Sequence, residues 1–189
     1  MISIHSRKYT AVLDACVLIP MCLCDTLLRF AEEPTLYRPL WSELILKEVR
    51  NGLVSKIGLT AAQRDHRLRE MQKAFPEAMT PSPPDLIEAL SCIPDANDRH
   101  VLASAISGRA DAIVTQNIRD FPQSALNDYG VLCRTPDDFL IEQLTLREDT
   151  VMERLGAQAT AIRKDWPTFI QTMKKVAPRF ARLIEKRRR

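Results

Sequence analysis

Short apolar runs, each bounded by polar or charged positions and separated by stretches with helical spacing, constrain this chain most. "TAVLDACVLIP" begins as such a run and is expected to form a buried strand ending near Asp14. "TLYRPLW" is a second candidate strand, "ADAIVTQN" a third and "YGVLCRTP" a fourth. A strand that is apolar throughout, rather than at alternate positions, must be covered on both faces. Alternation of such strands with helices therefore predicts an α/β fold with a parallel sheet flanked by helices.

The segments between the strands fit that scheme. After the first strand Leu23, Leu27, Leu28 and Phe30 fall partly on one helical face. Ser42 has the chemistry of an N-cap before "ELILKEVRNGL", where Leu44, Ile45, Val49 and Leu53 make a stripe and Gly52 sits near the end. Residues 60–79 are helical and polar, with Met71, Ala74 and Phe75 as the expected buried positions. "TPSPPD" is the clearest break, because Pro81, Pro83 and Pro84 oppose regular helix. Val101, Leu102, Ala105 and Ile106 have helical spacing, and Gly108 is a natural stop. From Pro136 onward every segment is helical. The expected organisation is residues 1–136 around the sheet, then a helical C-terminal extension, 137–189, with a basic tail.

A chain of 189 residues suits one domain, or one domain with an appendage, and can bury a substantial core. No run approaches the roughly 20 apolar residues of a membrane span, so no membrane partner is expected. The start, "MISIHSRKYTAVLDACVLIP", places basic residues before an apolar run, as a signal peptide does. Asp14 interrupts that run and no small-residue cleavage site follows, so export is not expected. Five cysteines at irregular spacing (Cys16, Cys22, Cys24, Cys92, Cys133) fit the reduced thiols of a cytoplasmic protein. Cys22 and Cys24 have the spacing of half a zinc site, with no matching pair elsewhere. Residues 163–189 hold ten Lys/Arg against two acids, a net +8, which leaves −5 for the rest of a chain totalling +3. An acidic body with a basic tail points to a polyanionic partner or a charged assembly surface; the plainer alternative is a solvated helix end.

In an open parallel sheet, sites form outside the carboxyl ends of the strands. Asp14 ends the first strand. Asn117 and Asp120 follow the "AIVT" strand, Asp98 starts the helix before it, and Glu48 lies one to two turns into the helix after the second strand. Gathered there, the acids would repel each other and raise one another's pKa unless a cation were bound. Mg²⁺ and Mn²⁺ suit such oxygen donors, activate water and neutralise charge on a phosphodiester under attack. Only five glycines occur, and neither phosphate-loop pattern is present. Each acid has a plainer role as well. Asp14 can start a turn, Asp98 can cap its helix, and Asp120 can cap the turn before Phe121-Pro122. Glu48 can pair with Lys47 or Arg50, with Glu43 in its place, and His100 can be a neighbour on the helix surface. Only the joint placement of the acids favours a site.

Together, "AVLDACVLIP", "ILKEVRNGL", "PDANDRHVLASAI" and "ADAIVTQNIRDFP" resemble PIN-domain nucleases, and more narrowly the VapC-type toxins of bacterial toxin–antitoxin pairs. The resemblance covers roughly residues 9–136, and the helical tail is similar to the extension of a longer subgroup. It implies a Rossmann-like sheet, Mg²⁺- or Mn²⁺-dependent RNA cleavage, and an antitoxin protein that blocks the site. The family's first acid falls on Asp14, the second on Glu48 and the third on Asp98. Asp95 matches an acid often present three residues before the third. Many members then have Thr-x-Asp where this chain has Thr115-Gln116-Asn117; others have Asn there and use the acid three residues on, here Asp120. Asn117 adds no charge, which leaves one metal or two open. The first motif usually reads Asp-Thr/Ser-Asn/Ser, and Ala15-Cys16 in its place is expected to remove hydrogen-bond donors behind Asp14.

The expected protein is thus a Mg²⁺- or Mn²⁺-dependent endoribonuclease toxin. Asp14, Glu48, Asp98 and Asp120 form its acidic site, supported by Asp95, Thr115 and Asn117. Arg182, Lys186, Arg187 and Arg188 are candidates for contact with RNA or the antitoxin, and a homodimer is a candidate assembly. One rival is a catalytically weak PIN-fold protein that binds RNA or acts as a scaffold. A second is a phosphoryl-accepting signalling domain with Asp14 as acceptor. It is disfavoured because no acidic pair precedes Asp14 and no Lys closes a late strand.

Overall fold

The four apolar runs form β1 (Thr10–Leu13), β2 (Arg38–Leu40), β3 (Ala112–Val114) and β4 (Leu132–Arg134). A computed structural model of the protein describes residues 8–187. The strands pair in parallel in the order β2-β1-β3-β4. Every residue of the central strands β1 and β3 is buried, whereas β4, at an edge, is partly open. That is the distribution a two-sided helical cover imposes on wholly apolar strands. In register, Leu13, Val114 and Arg134 lie level across the sheet, so Asp14 and Thr115 leave it at one common edge.

Beyond Asp14 the chain turns into a short helix, α1 (Ala15–Leu18), and then α2 (Met21–Ala31). After β2 comes α3 (Glu43–Ser55), capped by Ser42, whose side chain accepts from the Ile45 N–H. Its buried stripe is Ile45, Leu46, Val49 and Leu53. Leu44, expected in that stripe, is 38% exposed because it lies in the first turn on the outer face. Gly52 is buried against Ile19, and a Cβ there would overlap the Ile19 side chain. This close approach seats α3 on α1 and so sets Glu48, one turn earlier, above the Asp14 turn.

The polar helix α4 (Ala61–Ala74) opens with a Thr60–Gln63 capping box. It buries Leu68 and Met71; Ala74, expected inside, is exposed and Phe75 half-buried, since the helix ends there. Pro84 does not break helix but begins one, α5 (Pro84–Ala89), in the first-turn position where its missing N–H costs nothing. Next come α6 (Arg99–Ser107), closed at Gly108, and the short α7 (Gln123–Leu126), which apolar periodicity does not reveal.

The remaining helices are α8 (Pro136–Leu146), α9 (Glu148–Ala161), α10 (Trp166–Lys174) and α11 (Pro178–Arg187). They share the core of the sheet. Phe139 of α8 meets the Tyr37 ring edge-on at 4.8 Å, and Phe180 of α11 meets Phe30 of α2 at 6.5 Å. α9 lies antiparallel on α2. Arg154 donates to the Arg29, Glu32 and Pro34 carbonyls, and Gln158 bonds the Thr26 hydroxyl and the Cys22 carbonyl. Among the described residues no helix is long and apolar enough to cross a membrane.

Candidate active site

Asp14 is the centre of the acidic edge and is only 4% exposed. Its backbone N–H bonds the Val114 carbonyl, which ties the end of β1 to β3. The Thr115 hydroxyl donates to Asp14 Oδ2 at 2.6 Å, and the Cys16 thiol donates to the same oxygen at 3.0 Å. Burial, then the charge of Asp14 and the hydrogen bond to it, push the Cys16 thiol up to about 12, so it remains a donor near neutral pH. The Gln116 N–H in turn donates to Cys16 Sγ, and the Asn117 N–H to Thr115 Oγ1. This corrects the expectation that Ala15-Cys16 removes the donors behind Asp14. Ala15 does, but Cys16 supplies one. The signal was its position two residues after Asp14, masked because cysteine is a weak donor.

Glu48 and Asp98 flank this anchored carboxylate, and Asp120 lies near Asp98. Burial, then the charges of Asp14 and Asp98, push Glu48 up to about 7, with Lys56 pulling the other way. Burial, then Asp14, Asp120 and Asp95, push Asp98 up to about 6. Glu48 thus responds to Asp14 and Asp98, and Asp98 to Asp14, Asp120 and Asp95. Glu43 is exposed at the outer start of α3, and Arg50 is paired with Asp65 rather than with Glu48. Asp98 occupies the N-cap position of α6, but its side chain caps nothing. Asp95 is turned to local work, accepting from the Asn97 N–H and side-chain amide. Thr115 is buried on Asp14, whereas Asn117 is exposed. Asp120 closes a turn through its N–H to the Asn117 carbonyl, and Pro122, not Asp120, holds the cap position of α7.

His100 is not on the helix surface; its residue is 6% exposed. Its Nδ1 lies 2.6 Å from the Asn97 carbonyl and its Nε2 3.6 Å from Glu48 Oε1. Burial lowers its pKa, opposed by the Asn97 bond and the charge of Asp14, so the ring is neutral near pH 7. Its place two residues after Asp98 was the available clue.

Among the described residues no three His, Cys, Asp or Glu side chains already stand close enough to cage an ion. The donors nonetheless fit Mg²⁺ or Mn²⁺. They are hard oxygens that repel one another, and Mg²⁺ is commonly held by one or two carboxylates with water completing its shell. The repulsion has a measurable consequence without metal. A carboxyl whose folded pKa is raised favours the folded state at low pH, and that contribution is lost as pH rises through the folded value. In chelator, the melting temperature is therefore expected to fall from about pH 4, where the unfolded carboxyls titrate, to about pH 7, with the folded values at about 6 and about 7. Glu48→Gln should flatten this fall; an unchanged profile in that variant would contradict the coupling.

The basic residues lie elsewhere. Asp137 and Asp138, at the start of α8, hold the Arg179 and Phe180 N–H groups and the Arg179 guanidinium. Arg187 pairs with Glu148, just past the end of α8. α11 thus runs alongside α8, away from the acidic edge. It leaves Arg182 and Lys186 exposed and carries Lys186 and Arg187 to the far end. Arg188 lies outside the described residues.

Residues 10–119 match the family model described as PIN domain, more than half of the chain. A stretch of 65 residues is 48% identical to "Putative ribonuclease VapC50" of Mycobacterium tuberculosis strain H37Rv. The aligned stretch covers 34% of this chain and 37% of that relative, well under two thirds of its length. A four-stranded parallel sheet, an acid at the end of its first strand and a family match that spans that acid and the first three strands lead to one conclusion: this chain belongs to the PIN domain family.

Proposed function

We propose that the protein is a metal-dependent endoribonuclease that hydrolyses RNA phosphodiester bonds, the toxin of a type II toxin–antitoxin pair acting in the cytoplasm. The observation that carries this reading is the anchored Asp14 carboxylate at the sheet edge, whose charge, together with burial, raises both Glu48 and Asp98. Bound there, Mg²⁺ or Mn²⁺ would supply Lewis acidity and an activated water. Asp14, with Oδ2 held by Thr115 and Cys16, presents its other oxygen in a fixed direction. Glu48 and Asp98 offer oxygens from two different helices, and Asp120 adds charge beside Asp98. The similarity to a VapC protein supports RNA as the substrate and a protein antitoxin as the partner. Residues 1–136 are proposed as the nuclease unit and 137–189 as its extension, with a homodimer as the assembly. Purified protein on total RNA should cut with Mg²⁺ or Mn²⁺ and not with chelator. Cleavage that persists in chelator, or its absence with every divalent ion, would overturn the reading.

The basic tail is proposed to touch RNA away from the scissile bond. Ile184 is buried, so deleting the tail would damage the core, and point changes are the cleaner test. Arg182→Gln with Lys186→Gln should reduce the salt slope of single-stranded RNA binding by about 1.4, at about 0.7 per phosphate contact. The single-turnover rate at saturation should not move. An unchanged slope would remove the tail from the RNA interface.

A further inference from the structure

The proposed chemistry leaves His100 unused. Its residue is 6% exposed, and Nε2 is buried with no hydrogen-bond partner. The Asn97 carbonyl can only accept, so Nδ1, 2.6 Å away, carries the ring hydrogen and Nε2 presents a lone pair. That lone pair faces Glu48 Oε1 at 3.6 Å, too far for a hydrogen bond. Two electron-rich atoms held this close and partly out of water call for an electrophile between them. At bonds of about 2.1 Å, as imidazole and carboxylate make to a divalent transition ion, this separation corresponds to an angle of roughly 120° at the metal. A shift of roughly half an ångström would bring the two atoms to adjacent octahedral positions. A histidine that donates its other N–H to a backbone carbonyl is also oriented as metal-binding histidines are.

We infer that His100 Nε2 joins Glu48 as a direct ligand of the cation, and that this nitrogen selects Mn²⁺ over Mg²⁺. The inference rests on the cation site proposed above and sharpens it. Mg²⁺ strongly prefers oxygen, whereas imidazole suits transition ions, so one nitrogen among carboxylates changes the relative affinities.

The test uses the full chain loaded with Mn²⁺ alone. Pulsed electron paramagnetic resonance should show a directly coordinated ¹⁴N of imidazole type in the unaltered protein and none in His100→Gln. Calorimetric titration should show Mn²⁺ affinity falling about tenfold or more in that variant, with Mg²⁺ affinity changed far less. Circular dichroism in chelator establishes that the variant is folded; if it is not, the spectrum of the unaltered protein decides alone. Bound Mn²⁺ without ¹⁴N coupling, or coupling that survives in His100→Gln, would overturn the role of His100 and leave the cation site standing. Failure of Mn²⁺ to bind at all would overturn both.

Discussion

Asp14→Asn is expected to lower metal-dependent RNA cleavage by roughly 10²–10⁴-fold, the loss typical when a group acting directly on the reaction is removed. The substitution keeps size and keeps one oxygen to accept from Thr115 and Cys16. What it removes is the charge at the centre of the acidic edge, to which Glu48 and Asp98 both respond. Relief of that repulsion should leave the metal-free protein at least as stable near pH 8 as the unaltered one. Melting in chelator, melting with Mn²⁺ and single-turnover cleavage together give the check. Cleavage, cation-induced stabilisation, or both, retained in the variant would show that Asp14 does not hold the ion. A large drop in melting temperature without metal would show that the loss of activity has a structural cause.

The second large effect lies far from the acids. Phe139→Ala should destabilise the whole chain by about 3–5 kcal/mol, the cost of emptying a buried aromatic site. Phe139 is fully buried and its ring touches both Tyr9 and Tyr37, which precede β1 and β2. Against a total stability of about 5–15 kcal/mol this is a large fraction. Urea unfolding followed by circular dichroism should show a single transition with a clearly lower midpoint. A second, independent transition, with the sheet unaffected, would mean that the extension folds as a unit of its own.

The sheet was legible because β1 and β3 are apolar without interruption, a pattern that only two-sided burial explains. The acids were readable as candidates because Asp14 ends its strand, Asp98 starts its helix, Asp120 follows β3 and Glu48 lies one to two turns into the helix after β2. Of the supports, Thr115 was named from the sequence and Cys16 was not. The Cys16 thiol lies beside Thr115 and Gln116, and that pairing spans about a hundred positions. His100 has ordinary helical spacing, and its burial depends on α3 packing over α6. The missed burial of Leu68 and the exposure of Ala74 share one origin. Where few apolar residues mark a helix, periodicity leaves its inward face undefined to within a residue or two.

The contact of Phe180 with Phe30 has a consequence for the life of the chain on the ribosome. α2 follows the Asp14 turn through α1, and α9 and α11 brace it from the other end of the sequence. The acids are all synthesised by residue 120, yet the packing around α2 is complete only when Phe180 has emerged. Contacts this distant in sequence form late and slowly. A nascent or truncated chain therefore carries every acid before α2 has its full packing, and the complete fold waits until synthesis is nearly finished.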